Sequence, residues 1–107
     1  MQQPVVELGR LARMPLSNSA DRENVRQYQN LLAAVQQPVT DEEARLLVTL
    51  FGPDDYFGLV WPLVHLVERA PGWPIQDCLE DTENEWIRLL GQRMQNADRT
   101  NLRRFAN

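Results

Sequence analysis

The chain has 107 residues, 43% hydrophobic and 24% charged, a mix that supports one ordinary core and argues against disorder. A net charge of −4 and a pI near 4.9 disfavour a dedicated nucleic-acid binder, and the apolar runs are too short and interrupted for a bilayer. One cysteine, Cys78, excludes an internal disulfide framework and a cysteine-rich zinc site.

Prolines punctuate a helical pattern along the chain. Pro4 to Arg13 reads as a short helix with Val5, Leu8 and Leu11 on one side, ended by Pro15 and Ser17-Asn18-Ser19. Residues 1–19 are expected to form a loose, mobile arm. A second helix runs from about Ala20 to Gln36, with Ser19 as N-cap and Val25, Tyr28, Leu32 and Val35 in one stripe.

Thr40-Asp41-Glu42-Glu43 has the spacing of a capping box and opens a third helix through Phe51. Gly52-Pro53 is expected to end it, with Gly52 as the left-handed C′ residue. From Asp54 to about Arg69 nearly every side is apolar, which predicts one buried helix kinked at Pro62. Two shorter helices broken near Gly58 are the alternative. Asp54, Gly58, Pro62, His65 and Arg69 form its one polar stripe.

Ala70 to Pro74 must turn, and Ile75 to Leu79 fits a single helical turn. Thr82-Glu83-Asn84-Glu85 has the form of a second capping box, before a helix carrying Trp86, Ile87, Leu90, Met94 and Ala97. Residues 98–107 continue that helix or fray, with Leu102 and Phe105 as anchors. No stretch alternates with period two, so no sheet is expected. The fold class is all-α, one domain over 1–107 with about four helices and an N-terminal helical arm.

Chemistry finds few footholds. His65 is the only histidine, so no two-histidine metal site forms within one chain, and His65 with Glu68 falls short of a di-iron set. Carboxylates beside Cys78 raise a thiol pKa, the wrong direction for a nucleophile. Asp41-Glu42-Glu43 and Asp54-Asp55 sit at helix starts, which favour the charged form a general acid must avoid. Phosphate loops and nucleophile elbows are missing. No catalytic residue, metal ligand or cofactor is expected, and an enzyme is not.

Charge distribution is more telling than net charge. Residues 38–85 carry eleven acids against two arginines, and there is no lysine anywhere. Such a middle repels nucleic acid and anionic membranes and steers basic partners inward. The expected interaction residues are Asp54, Asp55, Tyr56, Trp73, Asp77, Glu80 and Asp81, with Trp73 as a hot spot in a stiff turn. Size and charge, without any shared motif, parallel bacterial immunity proteins and antitoxins that cover basic toxins. Rival readings are a homodimer built on the arm and the Trp73 turn, and a small-ligand pocket lined by Tyr56, Trp61 and Trp86 with His65 at its rim. With no basic, apolar leader at the N-terminus and one free thiol, cytoplasm is the expected compartment.

Overall fold

The computed structural model describes residues 1–19 and 21–106, with side chains described through Gln95 apart from Ala20. Five helices follow in order: α1 Gln3–Leu11, α2 Arg22–Ala34, α3 Asp41–Val48, α4 Val60–Glu68 and α5 Glu85–Ala106. Single 3-10 turns lie at Ser17–Ser19 and Gln76–Leu79, and no strand occurs among the described residues. The all-helical reading holds.

Pro4 lies in the first turn of α1, where its missing N–H costs no hydrogen bond. Val5 and Leu8 have no exposed surface, and α1 packs on both α2 and α3. Gln2 secures the start of the helix. Its backbone N–H donates to Glu43 Oε2 (3.0 Å), its Nε2 to the Gln36 carbonyl (3.1 Å), and its Oε1 accepts from the Gln36 N–H (2.9 Å). The expected loose arm is a docked element of the core.

The N-cap of α2 is Asp21, which accepts from the Asn24 N–H at 2.7 Å, in place of the expected Ser19. The expected start at Ala20 lies outside the described residues. Tyr28 and Leu32 are buried on its inner face, and Val35 follows just past the helix end. The Tyr28 hydroxyl donates to the carbonyls of Ala12 (2.6 Å) and Leu11 (3.1 Å), which satisfies the end of α1.

Thr40 and Glu43 form the predicted capping box, with bonds of 3.1 Å to the Glu43 N–H and 2.9 Å from the Thr40 N–H. The helix stops at Val48, earlier than expected, and Gly52 does not adopt a positive φ. Close approach is what requires glycine there: a Cβ would overlap the backbone carbonyl of Met14, which is pinned nearby by its own N–H bond to Leu50 (3.0 Å). Gly52→Ala is expected to cost about 2 kcal/mol by overpacking, read as a lower urea midpoint at unchanged m-value.

Asp54 to Leu59 is the main departure from expectation. These residues form a turn, and the helix begins only at Val60. Tyr56, Phe57 and Gly58 hold φ of 45°, 58° and 82° in succession. For the two aromatic residues this costs on the order of 1–2 kcal/mol each. Asp54 is the physical reason: its Oδ2 accepts from the N–H (3.0 Å) and hydroxyl (2.8 Å) of Ser17, and its Oδ1 from the Tyr56 N–H (2.9 Å). Those bonds fold the chain back before a helix can start. Pro62 then falls in the first turn of α4, where no N–H is needed, so the expected kink is absent. Val60, Leu63, Val64, Leu66 and Val67 are buried, while Pro62, His65 and Arg69 face outward.

Ile75 and Cys78 are the buried pair of the second 3-10 turn, because i and i+3 eclipse in that geometry. Asn84, not Thr82, caps α5: its Oδ1 accepts from the N–H groups of Trp86 (2.9 Å) and Ile87 (3.3 Å), and its Nδ2 donates to the Phe51 carbonyl (3.2 Å). Arg93 clamps Glu68 with two bonds of 2.7 and 2.9 Å and so ties α5 to the end of α4. The α5 backbone is helical through Ala106. The expected anchoring by Leu102 and Phe105 lies outside the described side chains. Tyr28, Tyr56, Phe51, Leu8, Met14, Leu47, Leu63 and Leu90 fill the centre, each burial stabilising by about 1.5–3 kcal/mol for residues of this size.

Candidate functional site

Several carboxylates of the acidic middle of the chain, Asp54 and Asp77 of the expected interaction residues among them, are committed to the fold. Glu43 is buried in the capping box, and Asp41 Oδ1 accepts from the Gly72 N–H at 2.7 Å. Asp54 is half-buried and holds Ser17 and Tyr56. These bonds keep its carboxyl below the usual range, as the hydrogen bonds of Thr40 and Gln2 do for Glu43 against the upward push of burial. Asp77 pairs with Arg45 at 3.0 Å.

Two aromatic expectations also change. Tyr56 has no exposed surface at all; its hydroxyl donates to Asn24 Oδ1 (2.9 Å) and its ring meets Tyr28 edge-on at 5.6 Å. It therefore can neither face a partner nor line a ligand pocket. Trp73 is half-buried and packs against the core.

Asp55, Glu80 and Asp81 stay exposed, joined by Glu83 and Glu85. None of these five carboxylates makes an ion pair among the described residues. Four of them fall within residues 80–85, the lead-in to α5 that Asn84 holds in place.

Beside that edge stands an aromatic pair. Trp61, 41% exposed on the first turn of α4, meets Trp86 edge-to-face with ring centroids 5.6 Å apart and planes at 82°. The Trp86 indole N–H donates to the Asp54 carbonyl at 3.1 Å, which fixes one ring and brings the 54–55 turn to the same place. A cleft of about 490 Å³ opens here between Trp61, Trp86, Leu89, Gln92 and the charged pair Glu85 and Arg88. His65 borders a neighbouring groove with Trp61, Pro62 and Arg69 that Trp86 does not line, and Tyr56 is buried, so the four residues of the expected ligand pocket do not come together in one cavity.

A second cleft, of about 450 Å³, runs between α3, the 76–79 turn and the start of α5. Arg13 and Arg45 stand in it opposite Asp77, Glu80 and Asp81. Both arginines have partners: Arg13 Nε donates to the Phe51 carbonyl (3.1 Å) and Arg45 to Asp77. Cys78 also lines it, its thiol pushed up first by burial and then by Asp77, with Arg45 opposing. A thiol held protonated is a poor nucleophile. Among the described residues no three His, Cys, Asp or Glu side chains converge on a metal-sized site, and no helix is long and apolar enough to cross a membrane.

Phe57 and Trp61 are exposed where the sequence pattern placed them on a buried helix, and Trp61 and Trp86, expected only as part of a ligand pocket, meet at the surface. Apolarity gave no sign of their exposure; only the i+4 spacing of Phe57 and Trp61 on a helix that does not form linked them. Compared with protein-family models, curated proteins and solved structures, the chain shows no match.

Proposed function

We propose that the chain is a non-catalytic helical binding module that docks a basic protein partner on the 80–85 edge, with Trp61 at the centre of the contact. The observation that supports this most is the run of exposed carboxylates, without ion pairs among the described residues, that leads into Trp86 and the exposed Trp61 against it. Carboxylates steer a cationic surface into register, and a tryptophan among them supplies the desolvated anchor that dominates binding energy. Arginine or lysine on the partner also gains by lying against an indole face. An immunity or antitoxin role, in which such an edge covers a basic toxin, is the concrete form of this reading.

The test is calorimetry with a partner captured by the tagged protein, repeated from 50 to 300 mM salt. Affinity is expected to fall steeply as exposed charges are screened within a Debye length of about 8–10 Å. Trp61→Ala should weaken binding by about 2 kcal/mol or more. Reversal of Glu80 and Asp81 to lysine should act mainly on the association rate, while Glu23→Lys on α2 should not. A partner indifferent to salt, to Trp61 and to the 80–85 charges overturns the proposal.

A further inference from the structure

The left-handed run at Tyr56-Phe57-Gly58 has an unequal return. Tyr56 recovers its strain through a fully buried ring and a hydroxyl bond to Asn24. Phe57 recovers little: it is 62% exposed, lies outside the core, and meets only the Tyr56 ring among aromatic neighbours, at 5.5 Å. The turn itself serves the fold, but glycine would fit it without strain; an exposed ring kept at a strained position points to use at the surface.

What Phe57 borders is chemically specific. With α2 it encloses a cleft of about 340 Å³, lined by Asp21, Arg22, Val25, Arg26 and Gln29. Arg22 and Arg26 stand one helical turn apart, both exposed, and neither makes an ion pair among the described residues. Among the described residues Asp21 is the one carboxylate lining the cleft, and its Oδ1 is engaged as the α2 cap. The positive end of the α2 dipole opens at the same place. In a chain of net charge −4, this is a locally cationic cleft with an apolar floor of Phe57 and Val25.

We infer that this cleft binds an acidic segment of a partner protein that carries an apolar side chain between two carboxylates. The apolar group covers Phe57 and Val25, and the two carboxylates reach Arg22 and Arg26. No residue of the cleft belongs to the 80–85 edge, so the inference stands apart from the proposed basic partner.

The experiment titrates the full chain with acetyl-Asp-Phe-Asp-amide and, separately, with 3-phenylpropionate, following backbone amide shifts by NMR. Shifts are expected at Val25, Arg26 and Phe57, with the peptide binding several-fold tighter because it can engage both arginines. Phe57→Gly keeps the left-handed backbone and removes the ring. It is expected to raise the melting temperature by about 4–8 °C while weakening the peptide about tenfold. Arg22→Gln with Arg26→Gln should weaken the peptide similarly and leave the melting temperature unchanged. Peptide affinity unmoved by both variants, shifts centred on Trp61 and Trp86, or 3-phenylpropionate binding as tightly as the peptide would each overturn the inference.

Discussion

Tyr28→Ala is expected to lower the unfolding free energy by about 3–5 kcal/mol, a large share of the 5–15 kcal/mol that holds an ordinary domain. The ring is completely buried where α1, α2 and the 54–59 turn meet, so its loss leaves a cavity that three elements cannot close together. It also strips the carbonyls of Leu11 and Ala12 of their donor. Tyr28→Phe separates the two effects and should cost only about 1 kcal/mol, the net worth of the hydroxyl bond. Urea unfolding of both variants distinguishes cavity from hydrogen bond.

The same phenol makes stability fall in alkali. Burial first, then the neighbouring Tyr56, lifts its pKa from 10.0 to about 12. A raised pKa means that the folded state keeps its proton longer than the unfolded chain. The contribution is therefore complete below pH 10 and is lost as pH climbs through about 12.

Glu43→Ala is the second large loss, expected at about 2–4 kcal/mol. One buried carboxylate accepts from the Thr40 N–H and from the Gln2 N–H, so its removal strips two donors of their partner at a half-buried junction. Burial pushes this carboxyl up, but the bonds from Thr40 and Gln2 outweigh it and leave the group below its ordinary range. The sign is the reverse of the tyrosine. Stability from Glu43 is present above the ordinary carboxylate pKa and is lost as pH falls through the lower, folded value; Asp54, held down by Ser17 and Tyr56, loses its share in the same direction. Thermal melts stepped from neutral pH into acid should show the decline in wild type and a shallower one in Glu43→Gln.

How legible the fold was depended on the range of the interactions that decide it. The Thr40–Glu43 box is settled within four residues, and the sequence pattern found it. Before α5 the local pattern pointed to Thr82, whereas Asn84 takes the cap and its amide also reaches Phe51, thirty-three residues away. The turn at 54–59 was hidden for the same reason: Ser17 and Trp86 draw on Asp54 from opposite ends of the chain, while the local pattern of apolar residues looks helical. Charge was legible and its employment was not. A sequence shows Asp41, Asp54 and Asp77 as surface carboxylates, but their partners, Gly72, Ser17 and Arg45, are contributed by distant segments. Conversely, Phe57 and Trp61 read as core because nothing local revealed that the helix would begin only at Val60, leaving Phe57 in the preceding turn and Trp61 on the outer side of the first helical turn.

The clasp formed by Gln2 bears on how substitutions at separate positions combine. Its backbone and side chain join the start of α1 to the Glu43 box and to Gln36, just past the end of α2. Gln2, Thr40 and Glu43 therefore belong to one bonded unit, and the costs of altering them do not add: once one member is gone, losing the next removes bonds already broken.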